Sequence, residues 1–203
     1  MNTTTPIPHP QFYTLSVKAH HLSADRNIVN SNSERARVIA TLQDALLGRV
    51  PEDSCRAVQE IQHHVDLLAF SITRTEATLL VCSLSARAVR NLGALIINNL
   101  IDFQRELNTL SRKVSLCTSN RPLAGEYDAL DVSLDLHANH LDWEYDRYSS
   151  IGFYLHERRG AWMHIWRLSR LYDNRPDHYR ALMEHKVRQL ERTTRRRVPS
   201  LRA

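Results

Sequence analysis

Glycine is scarce, with five residues in 203. None falls in a GxGxxG or GxxxxGK[ST] arrangement, so the chain has no glycine-rich loop to cradle phosphates. There are three cysteines, Cys55, Cys82 and Cys117. An odd number at wide spacing makes neither a disulfide framework nor a zinc ligand set, and reads as reduced thiols of a cytoplasmic protein. No apolar run approaches the roughly 18 residues of a membrane span. Residues 1–10 lack the charged and apolar regions of a signal peptide. Ser149-Ser150 is not framed by a Gly-x-Ser-x-Gly elbow, and no hydrolase triad can be assembled around it.

Net charge is missing from most of the chain as well. The formal charge is +5, from 27 Lys and Arg against 22 Asp and Glu. Residues 184–203 contribute seven of the cations and two of the anions, which leaves 20 of each sign in residues 1–183. A neutral body with a basic end marks the end as the phosphate-contacting element, or as a solvated terminus.

Residues 1–10 hold three prolines and read as a disordered lead. In residues 11–19, Phe12, Thr14 and Ser16 alternate with Tyr13, Leu15 and Val17, which predicts a strand with one apolar face. Ser31 or Ser33 can cap the next helix, with Gly48 and Pro51 marking its end, and residues 52–63 form a second short helical piece. Residues 65–72 and 79–84 read as strands joined tightly through Thr73-Arg74-Thr75-Glu76. A helix over about 85–111 carries Val89, Leu92, Ile96, Leu100, Phe103, Leu107 and Leu110 as one stripe. Residues 112–128 are polar and read as a loop. Beyond them Trp162, Ile165, Trp166, Leu168 and Leu171 point to short helices, and Pro176 suits the first turn of a final one running toward the basic end. The expected class is α+β, a small antiparallel sheet covered by helices, with a core over 11–128, a helical C-terminal part over 129–183 and a basic tail over 184–203.

Several segments carry a resemblance. Residues 68–81, LAFSITRTEATLLV, look like a hairpin of the form LAYVLMPNHVHLLV. The following helix ends Phe103-Gln104-Arg105-Glu106-Leu107-Asn108. Asp135-Leu136-His137-Ala138-Asn139-His140 is similar to a Tyr-Ile-His-x-Asn-Pro run, and Tyr148-Ser149-Ser150 to a Tyr-x-Ser-Ser that follows it. In this order, across about residues 11–183, they resemble the IS200-like, REP-associated single-tyrosine (Y1, HUH-type) transposases. The resemblance implies an HUH fold with a ferredoxin-like core, a DNA ligand containing hairpin or single-stranded segments, and a homodimer.

It also implies a lost active site. The family's two histidines, one residue apart on a strand, share one face and hold Mg²⁺ or Mn²⁺, and a helix tyrosine attacks the phosphate so polarised. Those positions fall here on Glu76 and Thr78, and the tyrosine on Asp135, or on Ser133 in a register shifted by two. Neither a metal pair nor a nucleophile is left, so the expectation is a protein with no enzymatic activity, no metal and no cofactor. Tyr127, Tyr145 and Tyr148 lie close enough in sequence to replace the nucleophile. His63 and His64 are adjacent and diverge, while His137 and His140, three apart, suit either a surface face or a metal.

Arg87, Arg90, Asn91, Asn98, Arg105 and Arg112 line one side of the long helix, away from its apolar stripe, as phosphate and sugar contacts or as an ordinary solvated face. Arg158, Arg159, Arg167, Arg170, Arg175 and Arg180 interleave with Tyr154, Trp162, Trp166 and Tyr172, a composition suited to stacked single-stranded bases, although tryptophans at helical spacing also suit a core. Arg195-Arg196-Arg197 is the densest cationic run. The leading expectation is a catalytically inactive, domesticated transposase-like DNA reader, cytoplasmic and nucleoid-associated. The alternatives are a scaffold for a protein partner and a residual metal-dependent nuclease.

Overall fold

The computed structural model describes residues 9–20, 27–49, 55–108, 115–138 and 142–197, with the backbone alone at Cys55 and 195–197. The alternation in Gln11–Ala19 produces β1, whose Tyr13, Leu15, Val17 and Ala19 are all buried. α1, Asn32–Leu47, starts where the Ser31 hydroxyl accepts the Glu34 N–H. It ends at Gly48, whose φ of 67° lies in the left-handed region that only glycine enters at no cost. α2, Cys55–His64, leads directly into β2, Val65–Ile72. The Thr73 hydroxyl bonds both the N–H and the carbonyl of Glu76, turning the chain into β3, Glu76–Ser83. β3 thus begins three residues before the expected position, because Glu76 and Ala77 already pair with Lys18 and Val17 of β1. α3, Ala86–Glu106, is shorter than the stripe predicts: Leu107 is exposed, and Leu110 lies outside the described residues.

The expected loop over 112–128 contains a strand. β4, Leu116–Pro122, pairs antiparallel with β1 from Tyr13↔Pro122 to Ala19↔Leu116. The sheet order is β2-β3-β1-β4, antiparallel throughout. This is the connectivity of a split β-α-β-β-α-β unit. Gly93 lets α3 lie close on the sheet, since a Cβ there would come within 2.7 Å of Thr118 Cγ2.

α1 to α3 cover one sheet face, against Leu15, Val17, Leu67, Phe70, Leu79 and Val81. The other face receives α4, Glu126–Ala138, and a C-terminal layer of two short helices, α5 (Ile151–Tyr154) and α6 (Trp166–Ser169), and the long α7 (Pro176–Arg197). A shift in register between Leu67 and Ala69 places both Leu68 and Ala69 in this second core. Among the described residues the architecture is therefore α+β, four strands with seven helices. α7 crosses the point where the composition turns basic. No helix of the described residues is long and apolar enough to cross a membrane.

Candidate nucleic-acid interface

Strand pairing sets out rows of side chains on the α4 side of the sheet. Ser71, Thr78, Ser16 and Ser119 form one row across all four strands, and Thr14 pairs with Arg121 in the next. Glu76 lies opposite Lys18. α4 packs on β2, β3 and β1, so toward β4 the face stays open: Lys18, Ser119 and Arg121 are exposed, and Thr14, Ser16, Glu76 and Thr78 are half-buried. The open part carries hydroxyls and two cations, Lys18 and Arg121, with the Glu76 carboxylate opposite Lys18 and Asp128, Asp131 and Asp135 lining a pocket with Arg121.

Glu76 and Thr78 share this face two residues apart, as the expected metal positions require. Their strand neighbours are Lys18, Ser16 and Ser71, none of which is an imidazole or a carboxylate. No group of three or more His, Cys, Asp or Glu side chains among the described residues converges on a metal position. Asp135 receives the Lys186 ammonium at 2.8 Å, and the same ammonium reaches Asp131 at 2.7 Å. Burial alone would lower the pKa of that ammonium; the two carboxylates outweigh it and hold the pKa raised. Ser133 is fully buried against Tyr179 Oη at 3.1 Å. Of the three alternative tyrosines, Tyr127 and Tyr145 lie out in solvent, and Tyr148 is buried beneath the guanidinium groups of Arg35 and Arg147, 4.6 and 5.0 Å from its ring centre.

His137 is a core residue and not a surface one. Its Nδ1 lies 2.8 Å from Tyr179 Oη and its Nε2 2.7 Å from Ser150 Oγ, with the imidazole fully buried. Ser150 Oγ also accepts the Phe70 N–H at 2.9 Å, and Tyr154 Oη donates to the Leu68 carbonyl at 3.0 Å. Three segments distant in sequence, 68–70, 137 and 148–150, therefore meet in one buried polar network. Burial, with their mutual proximity second, pushes the Tyr154 phenol well up; burial does the same for Tyr179. His140 lies outside the described residues.

The cations proposed on α3 are largely spent on the fold. Arg87 lies 3.4 Å from Glu60 on α2, and Asn91 donates to the same carboxylate at 2.9 Å, so both hold α2 onto α3. Arg105 pairs with Asp102. Arg90 and Asn98 are exposed. Arg112 lies outside the described residues. In the C-terminal layer Arg158 is a staple, donating to the carbonyls of Asp146, Arg147 and Ser149. Arg167 grips Asp66, Arg170 grips Glu126, and Arg180 bonds Glu144 at 2.6 Å. Tyr154, Trp162 and Tyr172 are core, whereas Trp166 is 61% exposed beside the Arg167 guanidinium. Arg159 remains exposed. Arg195, Arg196 and Arg197 extend the α7 backbone.

Two features escaped the sequence. The sheet-face hydroxyl row needs the strand register, which no local pattern encodes. The ion pairs join residues as far apart as Asp66 and Arg167, where only spatial proximity selects partners.

The fold and this surface define an α+β protein with one sheet face left partly uncovered by its helices. No protein-family model matches the chain, and neither does any curated protein or solved structure.

Proposed function

We propose that this chain is a catalytically inactive, transposase-like protein that binds hairpin or single-stranded DNA as a regulator or accessory subunit. The observation that carries the reading is the contact between His137 and Ser150, joined to Phe70. Those residues belong to the segments that resemble the single-tyrosine transposases. A degenerate HUH fold, with its ferredoxin-like core, accounts for their convergence beside the sheet. Glu76 and Thr78 share the face where the family's metal pair would stand, and neither side chain is an imidazole. The open hydroxyl-lined face, Arg121 and Lys18, together with the cationic end of α7, supply phosphate contacts without chemistry.

The test is a titration of labelled hairpin, single strand and duplex at two salt concentrations with Mn²⁺ present, resolved on a denaturing gel. Hairpin-preferring, salt-sensitive binding with intact DNA is the expected result. Nicked or covalently attached DNA overturns it.

A second reading, a scaffold for a protein partner, draws on the arginines of the C-terminal layer, whose charges are met by Asp66, Glu126 and Glu144. It predicts no binding to any of the three DNAs and one stoichiometric protein in a pulldown.

A further inference from the structure

Beyond the β2 edge of the sheet lies a cavity of about 370 Å³ with a divided lining. Phe153, Met163 and Ile165 make an apolar floor, and His156, Arg158 and Arg159 make a nitrogen-rich rim. That volume lies at the small end of the range for small-molecule sites. The floor is fixed from behind. Phe153 meets Trp162 edge-on at 5.6 Å, and Gly160 lets the Trp162 ring approach so closely that a Cβ would lie 2.6 Å from its Nε1. Arg158 forms the wall: it is tied to three carbonyls, and its guanidinium lies 5.4 Å from the Phe153 ring centre.

The rim is the unusual part. Nearly every other arginine of this layer holds a carboxylate or a carbonyl, yet Arg159 has no hydrogen-bond or ion-pair partner among the described residues. The His156 side chain has none either, and its left-handed backbone, with φ of 59° and its N–H donated to the Phe153 carbonyl at 3.3 Å, sets the ring at the turn that closes the rim. The lining combines an apolar floor that includes the Phe153 ring, one guanidinium held by backbone carbonyls and two side chains with unspent donors, in a space for one small molecule. It complements an anion of high charge density attached to a flat ring. A carboxylate presents two acceptor oxygens and one charge, whereas a phosphomonoester presents three acceptor oxygens and nearly two charges, the closer match to two cationic side chains beside a third.

We infer that this cavity binds a nucleotide unit, with its phosphate on Arg159 and His156 and its base over the floor of Phe153, Met163 and Ile165. The unit can come from a free mononucleotide or from the phosphorylated end of a DNA strand. The inference stands apart from the DNA-reading proposal, because it needs neither the open sheet face nor the end of α7.

The experiment is calorimetry on the full chain with deoxyadenosine monophosphate, deoxyadenosine, and one short single strand with and without a 5′-phosphate. The monophosphate binds at one site, and the nucleoside binds roughly tenfold more weakly or not at all, as the loss of charge-assisted hydrogen bonds dictates. Arg159→Ala combined with His156→Asn weakens the monophosphate by about tenfold or more with an unchanged melting temperature, since asparagine tolerates the left-handed backbone. Competition by the phosphorylated strand alone assigns the source to a DNA end, and lack of competition assigns it to the free nucleotide. No binding of either phosphate probe, equal binding of the nucleoside, or binding that survives both substitutions overturns the inference. Hairpin binding that persists in the double variant while the monophosphate is lost separates this site from the proposed DNA surface.

Discussion

His137 Nε2 and Ser150 Oγ lie 2.7 Å apart with no solvent at either side chain. The serine hydroxyl also takes the Phe70 N–H, and the other imidazole nitrogen meets Tyr179 Oη. One histidine thus ties α4 to the start of α5, to β2 and to α7. Replacing it by alanine leaves two buried hydroxyls short of a partner and opens a cavity. His137→Ala is expected to cost about 3 kcal/mol, within the range for breaking a buried polar network. Urea unfolding of the single variants and of His137→Ala with Ser150→Ala checks this, and the double variant should lose clearly less than the sum of the two. Additive losses would show that the pair is not a coupled unit.

The same layer makes stability sensitive to alkaline pH. Burial raises the Tyr172 phenol, and Tyr154 and Tyr179 are raised chiefly for the same reason. In the unfolded chain a tyrosine ionises near pH 10. Below that pH both states are protonated and the contribution of the neutral phenols is fully present. Above it the unfolded chain releases protons that the native protein retains, so stability falls as pH rises toward the folded values. Each phenol adds a slope of up to about 1.4 kcal/mol per pH unit. Tyr172 Oη has no hydrogen-bond partner among the described residues. Tyr172→Phe should therefore be neutral or stabilising by about 1 kcal/mol at pH 8, and should remove about a third of the alkaline slope. Urea midpoints between pH 8 and pH 11 read both effects.

Local periodicity made most of the fold legible. Tyr13, Leu15 and Val17 alternate because β1 has one covered face, and the Val89–Leu92–Ile96–Leu100 stripe is the contact of α3 with the sheet. β4 escaped because it is an exposed edge: Leu116-Cys117-Thr118-Ser119-Asn120-Arg121-Pro122 has almost no side chain to bury, and its conformation comes from the ladder with β1. The candidate site was half legible for a related reason. The shared face of Glu76 and Thr78 follows from strand geometry alone. What became of Arg87, Asn91, Arg105 and Arg158 depended on whether a carboxylate or carbonyl stood across from each, which charge patterning in one dimension does not specify. His137 looked like surface decoration because its partners, Ser150 and Tyr179, lie 13 and 42 residues away.

The sheet face offers a constructive test. Glu76 and Thr78 project to one side, half-buried, with Ser16 and Lys18 as neighbours. Glu76→His with Thr78→His places two imidazoles on that side, the spacing at which both reach one ion. The double variant is expected to bind Mn²⁺ or Zn²⁺ at least about tenfold more tightly than the parent, since a second neutral nitrogen ligand joins the first. It is not expected to nick DNA, because Asp135 is engaged by Lys186 and supplies no phenol. Calorimetry with each metal and a denaturing gel separate the two outcomes. Unchanged metal affinity would mean that the two positions do not converge.

DNA affinity should depend on the end of α7 more than on α3. Arg87 and Asn91 already hold Glu60, so their removal loosens α2 and lowers stability before it touches any ligand. Arg90 and Asn98 are exposed on the same helix, and alanine at both tests that face without disturbing packing. Arg195, Arg196 and Arg197 follow one another at the end of α7, beyond a stretch, residues 188–194, that is exposed throughout. Each phosphate neutralised on a single strand contributes about 0.7 to the slope of log affinity against log salt, and about 0.9 on duplex. Replacing the three arginines by glutamine should reduce that slope by about 2 and weaken all DNAs alike, whereas Arg90→Ala with Asn98→Ala should change it by less than 1. Filter binding or anisotropy over a salt series reads the slopes. A large effect of the α3 pair, with none from the arginine run, would move the DNA surface to the helical face remote from the hydroxyl row, and the open sheet face would then need another ligand.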